Sequence, residues 1–354
     1  MVWVHHFFTM GQSATINAAF GIATLLISIP TGVKIYDWMA TLYRGRIRMS
    51  VPIVYMTGFF FLFVIGGASG VVLANPTIDY QVHNSLFLVA HFHNVIIPGV
   101  LFGILAGLHY WFPKVFGFRL HEGLGKITAM LWIVGFSVTF FPLYGLGLMG
   151  MPRRSASFQD PSYEPLMQVA FYGSLIVLLA FAMVVVTLLV SISRRKELAT
   201  PLGDPWDGRT LEWSCSAPPP PWNFAVPPTV NEVDAFAAAK ERGDAYAPID
   251  TYVPIKMPGK TPIGFIIFLA TTLLGFAMTW WIWWLAGAAL LLLVGSIIVR
   301  SYFPATEIIV PAEVVAREDR RWRQLAHDAP GITRDDENSA RNLGRAAPDM
   351  VAAE

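Results

Sequence analysis

The sequence predicts an all-α fold, a polytopic bundle of transmembrane helices, and three observations carry that prediction. Hydrophobic residues make up 55% of the 354 and charged residues only 14%, against roughly a quarter charged in a soluble domain. Only 14 of the 49 formal charges fall within residues 1–193. Between those charges lie uncharged runs close to the roughly 20 residues that a helix needs to cross a bilayer core. A soluble protein with buried helices would show polar outer faces, and the run 51–74 has almost none.

The uncharged runs place helices at roughly 13–40, 51–74, 86–112, 127–147 and 166–193, then a close pair at 263–281 and 283–299, seven spans in all. Basic clusters set the orientation, because short cytoplasmic loops are enriched in Lys and Arg. Arg44, Arg46 and Arg48, then Lys114, Arg119 and Lys126, then Arg194, Arg195 and Lys196 alternate correctly and face the cytoplasm. The residues before the first span and the loops 75–85 and 148–165 therefore share the outer side. Arg153 and Arg154 break the rule there and call for a local anionic partner. Residues 194–262 form a cytoplasmic connector with four consecutive prolines at 218–221, which favour an extended ribbon. Asn231 can cap a short helix that stops at Gly243. The chain thus divides into core helices (1–193), connector (194–262), a transmembrane hairpin (263–300) and a charged cytoplasmic tail (301–354), mobile beyond residue 330.

A net charge of +1 and the lack of a recognisable nucleic-acid module exclude a nucleic-acid partner. Cys215 is the only cysteine, which excludes a disulfide scaffold. Met1 is followed by Val-Trp-Val-His-His, which is not a signal peptide.

Five of the eight histidines, His5, His6, His83, His91 and His93, fall on the outer side or in the outer ends of spans. Histidine inside a bilayer is costly, and imidazole is a ligand for copper, iron and zinc. His91 and His93 stand two apart, about 200° around a regular helix. They point to two different cofactors on opposite faces, and haem iron accepts such axial histidines; the alternative is two packed histidines bonded to backbone. His5 and His6 are neighbours whose side chains diverge unless the backbone is irregular, so copper binding and an isolated pair both stay open. His109, His121 and His327 read as interfacial or solvated.

Lys34 lies inside the cytoplasmic end of the first span, with Thr31 one turn back. Burial disfavours a charged lysine, which suits a proton relay, whereas snorkelling to the headgroups is the other reading. Paired arginines bind carboxylates in bidentate fashion, so Arg153 and Arg154 suit haem propionates; Asp160 and Glu164 offer an ordinary loop salt bridge instead.

Val-His-His-Phe-Phe-Thr-Met-Gly at 4–11, Ile-Pro-Thr-Gly-Val-Lys at 29–34, Ala-His-Phe-His at 90–93 and Gly-Met-Pro-Arg-Arg at 150–154 together resemble subunit I of the haem-copper oxygen reductases. Gly-Asp-Pro-Trp-Asp-Gly-Arg-Thr-Leu-Glu-Trp at 203–213, the proline run and the hairpin at 263–299 resemble the quinol-oxidising cytochrome bo branch. The resemblance implies that His5 and His6 ligate copper, that His91 is the axial ligand of a high-spin haem (o or a), and that His93 is an axial ligand of a low-spin haem b. It further implies a proton channel at Lys34 and Thr31, and propionate contacts from Arg153 and Arg154, with Asp79 close by. His83 matches a position that joins an aspartate at a magnesium site in cytochrome c oxidising relatives; the neighbour here is Asn84, which is compatible with the quinol branch.

The implied activity is a respiratory terminal oxidase of a bacterial inner membrane that takes electrons from ubiquinol, reduces O2 to water and pumps protons. A cytochrome c oxidising relative and a non-catalytic membrane fragment are the alternatives. The sequence starts just before the paired histidines. The third copper ligand and its tyrosine, the second low-spin haem ligand, the other proton channel and the quinone-binding residues are therefore expected on a preceding half of subunit I. That half would belong to a longer gene or to a separate chain, and other oxidase subunits would complete the assembly.

Overall fold

A computed structural model of the chain describes residues 3–45, 47–200, 202–303 and 307–328. Arg46 of the first basic loop, the side chain of His327 and the tail beyond residue 330 lie outside the described residues.

Contacts divide the chain into two units, each best understood by itself. The first comprises Met1–Pro219, Asp234–Ala238 and Leu325–Glu354, and the second Pro220–Val233 with Ala239–Gln324. In the first unit, α1 (Ala14–Leu42) starts where the Ser13 hydroxyl accepts from the Ile16 N–H. Only Asn17 and Gly21 of its 29 residues are buried. Helix α2 (Val51–Ala74) carries a proline in its first turn, where a missing N–H costs nothing. A short α3 (Pro76–Val82) fills most of the expected outer loop.

The third span is interrupted. It runs as α4 (Leu86–Ile96), a π-helical segment (Ile97–Phe102) and α5 (Gly103–Phe116). Pro98 sits at the start of the π segment, where its ring lacks an N–H and crowds the preceding turn. Helix α6 (Glu122–Leu148) is capped by His121, whose Nδ1 accepts from the Leu124 N–H at 3.2 Å, so this histidine is a structural cap. It is followed by α7 (Glu164–Ser193).

Large side chains from α2, the π segment, α5 and α6 form the main core: Val51, Tyr55, Phe59 and Leu62 pack with Phe102, Leu105, Trp132 and Phe136. Helices α6 and α7 pack along their length and bury a hydroxyl pair, Thr128 and Thr187, 3.2 Å apart. His109 is buried, contrary to an interfacial reading: its Nδ1–H donates to the Leu105 carbonyl at 2.9 Å and its ring lies against Tyr55.

Lys114 belongs to a predicted basic loop but is buried, because its ammonium donates to the Cys215 carbonyl. That contact is one of several that seat the stretch 203–215 on the end of α5. Trp206 stacks on Tyr110 (5.7 Å between centroids, 16° between planes) and donates its Nε1–H to the Tyr110 carbonyl at 2.8 Å. Trp213 is fully buried and meets the same ring edge-on. Trp213→Ala is expected to cost about 3–5 kcal/mol; limited proteolysis should then cut within 203–219 faster than in the unsubstituted protein.

In the second unit, α9 (Ile263–Thr279) and α10 (Trp283–Tyr302) form a hairpin whose turn places Trp281 at a φ of 59°. Among the described residues six helical segments are long and apolar enough to cross a membrane, rather than the seven expected. The exception is α9. Its 17 residues reach only about 26 Å at 1.5 Å per residue, short of a bilayer core of roughly 30 Å, because the chain turns at Trp280 and Trp281.

The connector and tail also hold regular structure that composition hid. Strand β1 (Ile255–Pro258) pairs antiparallel with β2 (Glu307–Val310), Ile255 opposite Val310. Helix α11 (Ala312–Asp328) buries Val315 and Trp322, with Trp322 edge-on to Tyr246. Helix α8 (Ala235–Arg242) begins later than an Asn231 cap would set it and stops at Gly243, whose φ is 82°.

Candidate functional site

One end of the first unit holds several of the histidines together. Val4–His6 form a single 3-10 turn, an irregular backbone that lets two sequence neighbours converge. The His5 and His6 rings lie 4.2 Å apart, centroid to centroid, at 62°. The turn is held in place by Asn17, whose side-chain amide donates to the Phe8 carbonyl at 3.0 Å and to the Tyr80 hydroxyl at 2.9 Å.

His5, His6 and His91 line one cavity of about 650 Å³, together with Thr31, Asp79 and His83. Its remaining wall is largely apolar, from α1 and α2. His93 is not among the lining residues. Its ring instead stacks on Phe140 from α6, 4.3 Å between centroids and 20° between planes. The two histidines of the His-Phe-His motif therefore serve different surroundings, as their spacing predicts.

Each of these two rings has a fixed tautomer. His91 Nδ1 lies 3.0 Å from the Gly66 carbonyl, and His93 Nδ1 lies 2.8 Å from the Val89 carbonyl. A carbonyl only accepts, so both Nδ1 atoms carry the proton and both Nε2 atoms keep a lone pair. The His91 ring presses on α2 at Gly70, where a Cβ would fall 2.8 Å from His91 Cε1. Burial pulls His5 down to about 4, and the neighbouring His6 and His91 act in the same direction. His6 is also lowered by burial, against the pull of Asp79. Both imidazoles are neutral near pH 7, the form that binds metal. Among the described residues no group of three or more metal-ligating side chains converges.

His83 does not stand alone beside Asn84. Its Nδ1 is 2.8 Å from Asp79 Oδ2, one helical turn earlier. Asp79 is 4% exposed, and burial raises its pKa while His83 opposes the rise. Asp79, His83 and Arg153 lie close enough for their charges to act on His6.

The loops 75–85 and 148–165 meet directly. The Leu86 N–H donates to the Met151 carbonyl at 3.0 Å, and the Arg153 N–H donates to the Asn84 carbonyl at 2.9 Å. Neither Arg153 nor Arg154 has a carboxylate partner among the described residues. Asp160 accepts from the Ser162 N–H, and Glu164 accepts from Gln168. The Arg153 Nε is buried without a hydrogen-bond partner, and an orphaned guanidinium N–H suits an anionic carboxylate. Together with two free Nε2 atoms, that orphan fits haem.

Lys34 is exposed, with its ammonium 4.0 Å from Asp37. The Thr31 hydroxyl donates to the Ile27 carbonyl at 3.0 Å on the cavity wall. Residues that sequence reasoning did not single out are Ser69 and Tyr144, which bond to each other beside His91.

Fold and site define a multi-pass helical membrane protein whose histidines gather at one end of the bundle. The family model described as "Cytochrome C and Quinol oxidase polypeptide I" matches residues 1–176. The chain is 46% identical over 325 residues to a "Probable cytochrome c oxidase subunit 1" of Bradyrhizobium diazoefficiens, covering 90% of this chain and 48% of that one. It is 46% identical over 339 residues to "Ubiquinol oxidase subunit 1" of Acetobacter aceti, with 93% and 50% covered. A third relative, "Cytochrome bo(3) ubiquinol oxidase subunit 1" of Buchnera aphidicola, is 44% identical, with 89% and 48% covered. The chain is thus similar, over most of its length, to subunit I of the haem-copper oxidases. It spans about half the length of these relatives. That likeness implies haem and copper.

Proposed function

We propose that this chain forms part of the catalytic subunit of a bacterial inner-membrane terminal oxidase that oxidises ubiquinol, reduces O2 to water and pumps protons. The observation that carries the proposal is the sharing of one cavity by His5, His6 and His91, with His93 turned away on the same helix. In this reading His5 and His6 hold copper through neutral imidazoles. His91 holds a high-spin haem, o or a in type, and His93 a low-spin haem b, each through Nε2. Arg153 and Arg154, with Asp79 beside them, bind the propionates. When bound, haem and copper supply the redox chemistry for O2; the chain supplies ligands, charge and a proton path. His83, held by Asp79, serves to fix that carboxylate, and metal binding by His83 is its other reading. The basic loops face the cytoplasm, and residues 1–193 carry the site.

Two relatives at equal identity are named for different electron donors. Asn84 beside His83 and the 203–213 motif favour ubiquinol over cytochrome c. Completion of the cavity falls to the remaining half of the subunit, in the same chain or a separate one. Oxygen uptake by membranes carrying the assembled protein should follow ubiquinol and not reduced cytochrome c, with haem bands in reduced-minus-oxidised spectra. Protein with neither haem nor copper on metal analysis would favour a non-catalytic fragment.

Lys34 Nζ takes up a proton at the inner end of α1, and Thr31 Oγ1 passes it along the cavity wall. Lys34→Met is expected to slow oxygen reduction by roughly 10²-fold or more. Near-normal turnover would instead mark Lys34 as a snorkelling residue.

A further inference from the structure

Three helices meet at the inner nitrogen of His91. Its Nδ1 lies 3.0 Å from the Gly66 carbonyl and 3.1 Å from Ser69 Oγ, both on α2. Ser69 Oγ is 2.7 Å from the same carbonyl and 2.9 Å from the hydroxyl of Tyr144 on α6. Ser69 is buried, and the Tyr144 ring is held edge-on to Phe87 at 5.0 Å.

Donor arithmetic orders this cluster. The Gly66 carbonyl can only accept, so it takes both the His91 Nδ1–H and the Ser69 O–H. The single Ser69 proton is then committed, and Ser69 Oγ must accept from the other two neighbours. The Tyr144 O–H therefore donates to Ser69 Oγ, and the His91 Nδ1–H is shared between Ser69 Oγ and the Gly66 carbonyl. His93 has a simpler arrangement, one bond to the Val89 carbonyl.

We propose that Ser69 and Tyr144 are positioning residues that set the orientation and donor strength of His91 toward a metal at Nε2. Acceptors on Nδ1–H push electron density onto the imidazole, and a ligating histidine is tuned through that hydrogen. Ser69 adds a second acceptor. Tyr144 weakens it, because the phenol O–H and the imidazole N–H compete for the lone pairs of one hydroxyl oxygen. The two residues therefore act in opposite senses, which a merely structural pair would not do.

The proposal rests on the reading of His91 as a haem ligand, and resonance Raman spectra of the reduced, assembled enzyme separate the two. Ser69→Ala is expected to move the iron–histidine stretching band to lower frequency. Tyr144→Phe should move it to higher frequency, and Ser69→Thr should leave it near its original place, with haem content unchanged in all three. Bands that stay put, or that shift together in Ser69→Ala and Tyr144→Phe, would overturn the proposal. His91→Ala tests the underlying reading by itself: retention of the high-spin haem would refute the ligand assignment whatever the other variants do.

Discussion

Replacing His93 with alanine is expected to remove the low-spin haem band from reduced-minus-oxidised spectra while the high-spin signal remains. The physical reason lies in what the side chain does in the structure. Its Nδ1–H is spent on the Val89 carbonyl, its ring is clamped against Phe140, and its Nε2 is left as an outward lone pair. Alanine keeps the helix, since it is the best helix former, but deletes that nitrogen. His91→Ala should produce the complementary loss, because its Nε2 belongs to the cavity that His5 and His6 share. Circular dichroism should stay unchanged in both variants, which separates loss of a ligand from loss of the fold. A single variant that erases both bands would mean that the two histidines serve one site and that the opposite-face reading is wrong.

The second large effect is expected at Gly147, near the end of α6. A Cβ there would fall 2.0 Å from the Phe87 backbone nitrogen and 2.6 Å from its Cα. The obstacle is backbone, so a side chain cannot turn aside to make room. Overpacking commonly costs about 1–3 kcal/mol and sometimes more, and Gly147→Ala should reach the upper end. The start of α4 would have to move away from the 147–153 loop, with loss of the Leu86–Met151 and Arg153–Asn84 bonds. Thermal unfolding in detergent should show a clearly lowered midpoint. Gly103→Ala is the control, because nothing lies within 4 Å of its Cβ position and alanine gains up to about 1 kcal/mol of helix propensity.

The spans were legible because a bilayer imposes a simple code of uncharged runs of fixed length, and that code places α1, α2, α6 and α7 to within a few residues. It misjudged α9, since apolarity continues through the turn at 280–282 while the helix does not. The opposite faces of His91 and His93 followed from spacing alone. Convergence of His5 and His6 needed the 3-10 turn, which composition does not reveal. Asp79 and His83 stand four apart, a spacing that foretells contact, yet attention went to the residue next to His83, where Asn84 argued against magnesium and for the quinol branch. Ser69, Tyr144 and Lys114 were invisible for another reason: each matters through a partner 22 to 101 residues away, and no local pattern encodes such a pairing.

The π segment at Ile97–Phe102 bears on how one helix serves two tasks. A wide turn takes up about one residue more than an α turn, roughly 100° of rotation. Whatever follows Phe102 is therefore out of phase with whatever precedes Ile97. His91 and His93 are aimed by one half of the span, while Tyr110 and Lys114, which receive the 203–215 stretch, are aimed by the other. Substitutions in the half after Phe102 can re-seat that stretch without turning the histidines, so the two ends are free to vary separately although a single rod joins them.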